Sequence, residues 1–404
     1  MKSMKFWMQA GLLVLTCGWI FVGCSSDDNE NESSKKGIVF PSNNCTVTRC
    51  QVLQIEPQIT DGENYDFVWS IGDSILSEKR ELDFISLETG TYDVKVAVSL
   101  KGKEVLTKVI SITVQKESKE YSPYITSVFD YMPAPGQFVN TLPEYETGDT
   151  QEAMNRKVLE AIGNNMRGMI SLGGFGGYVV VGFNHTIVNV PGEYDFQVIG
   201  NSFEGSSEPG IVEVAYDKNG NGKPDDDEWY ELAGSEFSKS GTTKNYSITY
   251  VRPDESKTAV PGPQFWQTDT QYIAWSDNGG ASGYLTRNSF HSQSYYPLWV
   301  DKDKLVFTGT RLPDNGVNTG TDEDPYWYQT AYSWGYADNV PNTSDASKMK
   351  IDWAVDKTGK SVSLPGIDFV RIYTGIRQEC GWLGENSTEI CGVTDLHLQK
   401  NAKE

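Results

Sequence analysis

Histidine is scarce in this chain, basic charge is short, and cysteine is too sparse for a disulfide scaffold. Three histidines, His185, His291 and His397, are spread over 404 residues, which leaves little material for a histidine-rich zinc site or a histidine-based proton relay. Asp and Glu number 55 against 34 Lys and Arg, a formal charge of −21. Such a chain repels a phosphate backbone, which needs basic side chains to displace its counterions. Nucleic acid is therefore excluded as a partner, and partners should be neutral or cationic. The length suffices for two or three domains at about 150 residues each, with hydrophobic cores that need no cross-links.

Lys2 and Lys5 precede an apolar run from Gly11 to Gly23, about the length of a signal-peptide core and too short to span a bilayer. The run ends in Phe21-Val22-Gly23-Cys24, which resembles the lipobox of bacterial lipoproteins. That resemblance implies a signal peptide over 1–23 and lipidation of Cys24, which becomes the mature N-terminus. Residues 24–37 hold an acidic stretch without apolar side chains and read as a solvated tether. An acidic run directly after the lipid cysteine resembles the surface-export signal of Bacteroidetes lipoproteins, and implies an outer-membrane anchor facing the cell exterior. The remaining cysteines form two local pairs, Cys45/Cys50 and Cys380/Cys391. In an oxidising compartment each pair is expected to close a disulfide, a local staple, since short loops remove little unfolded-state entropy.

The mature chain reads as all-β. Over 38–116, runs such as Tyr65 to Ser70, Thr91 to Ser99 and Val105 to Val114 alternate apolar and polar residues between Gly, Asp and Ser turns, the pattern of a small β-sandwich with Trp69 in its core. The Tyr65-Asp66-Phe67-Val68-Trp69 run followed by Gly90 to Val96 resembles PKD-like domains, immunoglobulin-type spacers that hold another domain away from a membrane. A polar link ending at Pro123 leads to a larger domain over 123–400. One helix is expected there, with Asp149 as cap, Glu152 completing a capping box, and Met154, Val158, Leu159 and Ile162 on one face before Gly163. Strands dominate elsewhere, from both ends of the domain, which predicts a jelly roll with long loops and one or two short helices.

Asp217-Lys218-Asn219-Gly220-Asn221-Gly222, continuing to Glu228, fits the twelve-residue calcium-loop pattern. Oxygens of Asp217, Asn219 and Asn221 converge on one hard cation, Gly222 makes the sharp turn, the Lys223 carbonyl faces inward and Glu228 closes the shell. Flanking strands make it a hairpin loop, and the expected cofactor is structural Ca²⁺. Asp352, Asp356, Glu385 and Glu389 are candidate paired acids for glycoside hydrolysis, although solvated charge is the commoner role for such residues. Gly173 to Gly177 is glycine-rich but lacks the Lys-Ser/Thr of a phosphate loop, and reads as a turn.

From Phe265 to Tyr336 there are 16 aromatic residues in 72 and only 12 charged ones. Adjacent aromatics cannot all face one core, so Trp266, Tyr295, Tyr296, Trp299, Trp327, Tyr328 and Trp334 are the expected ligand-binding residues, suited to a bulky neutral ligand. No catalytic residue is assigned. Several segments, among them Tyr178 to His185, Tyr194 to Glu204, Glu208 to Val214, the calcium loop and Gly366 to Glu389, resemble Bacteroidetes cell-surface lipoproteins with a PKD-like spacer and a jelly roll. That group includes lipoproteins of vitamin B12 uptake beside TonB-dependent transporters. The resemblance implies capture of cobalamin or a related corrinoid and its transfer to an outer-membrane transporter. The alternative is a glycan-binding lipoprotein, with a glycoside hydrolase behind it. Whether His185 or His291 approaches a cobalt stays open at this level, with a structural histidine the default for each.

Overall fold

The computed structural model describes residues 37–164, 168–321 and 324–401. The expected signal peptide, the lipidation site Cys24 and the tether up to Lys36 lie outside the described residues. The chain forms two compact units. The first comprises residues up to Thr48, Leu53–Leu82 and Thr89–Gln115, and the second runs from Lys116 onward and takes in Arg49–Val52 and Asp83–Glu88. Those two short segments group with the second unit through backbone bonds, Cys50 N–H to Ser86 O at 2.9 Å and Thr186 N–H to Cys50 O at 3.0 Å.

In the first unit the long strands Gly90–Leu100 and Lys103–Gln115 pair antiparallel. Lys101 and Gly102 join them at φ +51° and +76°, the left-handed pair that a tight hairpin demands. Asp66–Ile71 and Ser74–Ser77 extend the sheet on one side, and Asn44–Thr48 adds a parallel strand on the other. Alternation places Val94, Val96, Val98, Ile110, Ile112 and Val114 inside. Trp69 is fully buried among them and donates Nε1–H to Lys79 O at 3.0 Å.

The second unit is a β-sandwich. One layer is an antiparallel sheet in the order Ser127–Met132, Tyr178–Val188, Gly366–Thr374, Gly210–Ala215, Trp229–Leu232 and Ala354–Val355. The other places Phe196–Ile199 between Lys348–Met349 and Gly392–Asp395, beside the pair Ile170–Ser171 and Glu389–Ile390. Val179, Val212 and Ile372 from the first layer share one core with Phe196, Met349 and Val393 from the second. The helix Gln151–Ile162 packs Met154, Val158 and Ile162 on that core, with Leu159 half-buried. Thr150, rather than Asp149, is its cap, accepting from Ala153 N–H at 3.3 Å, because the Asp149 carboxylate is engaged by Glu146 N–H and Lys157. A short second helix spans Leu396–Asn401.

A further four-stranded sheet, Ser282–Asn288, Gln267–Asp277, Thr243–Val251 and Lys304–Arg311, carries its own aromatic core of Phe175, Tyr246, Tyr250, Tyr272, Tyr295, Tyr296 and Phe307. This additional core absorbs much of the aromatic-rich segment.

Neither expected disulfide forms. Cys45 sits in a strand of the first unit while Cys50, at φ +54°, is bonded into the second. Cys380 is buried against Gly316, and Cys391 donates its N–H to Ile199 O at 2.7 Å. Burial pushes the Cys50 and Cys380 thiols up to about 12, so both are packing residues with little thiolate character.

Trp69→Ala removes a fully buried indole and is expected to cost the first unit about 3–5 kcal/mol. The cost should appear as a lower urea midpoint at unchanged slope.

Candidate functional site

Strand register brings four loops together at one end of the six-stranded sheet. Met132 pairs with Tyr178, Tyr178 with Tyr373, and Gly210 with Thr374. The chain after Met132, before Tyr178, before Gly210 and after Thr374 therefore emerges along one edge. These loops carry Gln137, Glu208 and the run Glu385 to Glu389, and they enclose a cavity of about 270 Å³. Its wall includes Gln137, Asn201, Glu208, Gln329, Glu385, Ser387 and Glu389, and its mouth is lined by Phe138, Phe290, His291 and Trp382. A second cavity of about 110 Å³ lies behind Glu385, against Phe175, Trp275, Arg377 and Glu379.

Carboxyl groups form the floor. Side-chain oxygens of Glu208, Asp338 and Glu389 lie within 4.8 Å of one another, close enough for each carboxylate to disfavour ionisation of its neighbours. Ser387 N–H donates to Glu208 Oε1 at 3.1 Å, and Ser387 Oγ to Glu389 Oε1 at 2.9 Å. Asp338 accepts from the N–H groups of Asn201 and Ser202, both at 2.9 Å, and from Glu389 N–H at 3.0 Å. Its own backbone is left-handed at φ +48°, a conformation Asp tolerates better than most residues. Glu385 Oε1 accepts from Gln137 N–H at 2.7 Å. A Cβ on Gly136 would stand 2.6 Å from that oxygen, so glycine is what lets the backbone approach.

Burial raises every one of these groups. Desolvation pushes Glu385 and Asp338 up to about 8 and Glu379 up to about 7. Glu208 is raised and Glu389 is raised well above the usual range, again through burial, with the neighbouring carboxylates adding repulsion at Glu389. His291 is shifted down by burial at the mouth, where its ring meets Phe138 edge-on at 4.6 Å.

The mouth is held by an amide network. Asn288 Nδ2 donates to Gln137 Oε1 at 3.0 Å and to Trp382 O at 3.2 Å, while its Oδ1 accepts from Phe290 N–H at 2.8 Å. Phe265, Phe290 and Trp382 follow one another with ring centroids 6.1 and 6.4 Å apart. Phe265 is 81% exposed, Phe290 57% and Trp382 42%, so flat faces remain available beside the opening.

The seven expected aromatics do not assemble into one surface. Trp266, Tyr295 and Tyr296 are buried. Trp299 stacks on Tyr131 at 5.8 Å and donates Nε1–H to Gln151 at 3.1 Å. Trp327 lies against Gly381 and Tyr328 against Gly205, on a ribbon with Gly316–Asn318, and Trp334 tilts on Trp353 at 4.6 Å. Of the four expected acids, Glu385 and Glu389 line the cavity. Asp352 instead accepts from Asn189 and Gly192 N–H, and Asp356 caps its own turn through Thr358 and Lys360. His185 and His397 are structural: their Nε2 atoms meet Asp395 at 2.8 Å and Asp195 at 2.9 Å inside the fold. Phe138, Glu208, Asp338 and Trp382 carry no local sequence signal for this role, and Phe290 shares only the general aromatic enrichment of 265–336.

The expected calcium loop joins Gly210–Ala215 to Trp229–Leu232 as a hairpin. Gly220 and Gly222 take φ +68° and +73°. Asp217 accepts from Asn221 and Gly222 N–H at 3.0 and 2.7 Å, and Asn221 Oδ1 from Lys223 N–H at 2.7 Å. Glu228 reaches back to Lys218 and Asp225 N–H at 3.0 and 3.2 Å. Asp225 accepts from both Asn219 and Asn221 at 2.7 Å, which adds a carboxylate at the loop's ninth position. The donors are all oxygens, as a hard cation requires.

No family model matches the chain, and no curated protein matches it. Among solved structures, a similar chain comes from work on the structural basis for the promiscuous specificity of carbohydrate-binding modules of the β-sandwich superfamily. It is 10% identical, with 89% of this chain and 94% of that chain covered at a TM-score of 0.14. At that score the likeness carries no argument about ligand or chemistry.

A carboxyl raised on folding binds its proton more tightly in the native state. Its stabilising share is full below the ordinary carboxylate range and lost as pH rises through its native value. Wild type should therefore lose stability relative to Glu385→Gln between about pH 5 and about pH 9, followed as the difference in melting temperature. A difference that stays flat over that interval contradicts the raised Glu385.

Proposed function

We propose that the chain is a non-catalytic binding protein that takes the end of a glycan into the cavity bounded by Gln137, Glu385, Glu389 and Trp382. The observation that carries this reading is the cavity wall itself: flat aromatic faces at the mouth above a floor of amides, hydroxyls and carboxyls. A sugar ring presents apolar C–H faces, which stack on Trp and Phe, and hydroxyls that both donate and accept. The volume, about 270 Å³, is just below the range of about 300–1,000 Å³ for small-molecule pockets and suits one sugar residue with its chain continuing over the rim.

The corrinoid reading has less support. Its expected platform is divided between core and separate surface sites, and a corrin ring is larger than the cavity and would have to lie across the rim. The lipid anchor on Cys24 and the outer-membrane location belong to this proposal on the strength of the N-terminal resemblance, and delivery to a TonB-dependent transporter on that of the second-domain segments. We further propose that Ca²⁺ is held by Asp217, Asn219, Asn221, the Lys223 carbonyl and Glu228, joined by Asp225, and that it fixes the hairpin.

Titration of neutral and amino oligosaccharides alongside cyanocobalamin tests the ligand class. Saccharide binding that weakens about tenfold or more in Trp382→Ala, and is unchanged in Trp334→Ala, is the expected result. Binding of cyanocobalamin with no saccharide would overturn the glycan reading in favour of the corrinoid. Calcium should raise the melting temperature of wild type and leave Asp217→Ala unmoved; an equal response in both removes the loop as the calcium site.

A further inference from the structure

The floor of the cavity is a set of carboxyls without a counter-charge. Glu385 and Glu389 are 6% and 4% exposed, yet among the described residues no Lys or Arg forms an ion pair with Glu208, Asp338, Glu385 or Glu389. Elsewhere Lys and Arg do pair with acids, as Arg371 does with Glu213 at 3.3 Å and Lys157 with Asp149 at 2.8 Å. Arg377 is the one Lys or Arg on either cavity wall. Its guanidinium lies over the Trp275 ring at 4.2 Å and its charge acts on Glu379. Glu385 stands between the two cavities and receives a bond from the backbone of Gln137, with no side-chain donor among the described residues.

A desolvated carboxyl in this state is held neutral by its proton, and any cation that enters in water's place can exchange with that proton. The aromatic mouth favours the same kind of visitor, because a cation is attracted to the faces of Trp382, Phe290 and Phe138. A formal charge of −21 draws cations toward the protein from solution.

We propose that the ligand of this cavity carries a cationic amine, and that a primary ammonium, as on an amino sugar, sits against Glu385 and the Glu208–Glu389 pair beneath the aromatic mouth. The inference rests on the glycan reading above and names its substrate class. An ammonium offers three donors to the carboxyl oxygens and supplies the positive charge that the floor lacks. Its N-acetyl counterpart offers one donor and no charge, and adds an apolar methyl over polar oxygens. Binding the ammonium converts a carboxyl to carboxylate and releases its proton to solvent. The titratable groups that face this exchange are Glu208, Glu385 and Glu389 on the floor, Asp338 beside Glu208 and Glu389, Glu379 behind and His291 at the mouth.

The test compares glucosamine oligomers with N-acetylglucosamine oligomers of equal length and with neutral glucose oligomers, by calorimetry on the folded soluble chain. The glucosamine series should bind at least about tenfold more tightly. Its heat should vary with the ionisation enthalpy of the buffer in the sense of about one proton released. Glu385→Gln replaces a protonated carboxyl with a neutral amide, so it keeps the general attraction for cations while removing the partner. It should lose the amine preference and the proton release. Glu389→Gln serves as the second variant. Equal affinity of the amine and acetyl series, or a preference that survives both substitutions, overturns the amine inference and leaves the glycan reading standing. Failure of every saccharide to bind overturns both.

Discussion

A carboxyl taken out of water must keep its proton, collect hydrogen-bond donors or meet a cation, and the second unit uses the first two of these remedies for Glu208, Asp338, Glu385 and Glu389. Loop backbone supplies the donors: Gln137 to Glu385, Ser387 to Glu208, and Asn201, Ser202 and Glu389 to Asp338. Each of those bonds ties a loop from one part of the chain to a carboxyl from another. The loops at this end of the sandwich are thus held in place by the groups whose burial is costly, and the cavity between them follows from that arrangement.

Topology makes this possible. The strand Gly366–Thr374 lies between Tyr178–Val188 and Gly210–Ala215 in the sheet order, so the chain leaving its end meets the chain entering its neighbours. Gln137 and Glu385 are 248 residues apart in sequence and 2.7 Å apart in space. The mouth is assembled in the same way, with Asn288 joining Gln137 to the Trp382 carbonyl. A rigid two-layer core therefore positions a polar site built almost wholly from loops.

Much of the fold was legible in the sequence, and the reasons are local. Alternation over Gly90–Leu100 and Lys103–Gln115, the Trp69 core position and the helical face of Met154, Val158 and Ile162 need only their own neighbours to be read. The cap was misplaced by one residue because Asp149 and Thr150 are both good caps, and only Lys157 and Glu146 decide between them. The site was legible in part. Glu385 and Glu389 stood out as acids, but their partners Glu208 and Asp338 arrive through tertiary structure alone. The aromatic-rich segment pointed elsewhere because Tyr295 and Tyr296 serve a second core that no periodicity announces. Phe290 and Trp382, isolated in sequence, form the exposed rim instead.

Burial without a counter-charge should leave Glu385 protonated at neutral pH. Carboxyl-carbon NMR of protein labelled at glutamate, titrated across neutrality and assigned with Glu385→Gln, reads this directly. The expected result is a Glu385 signal still in its protonated position at pH near 7 and moving only near about 8. A Glu385 signal already ionised in the ordinary carboxylate range of about 4–5 would contradict it.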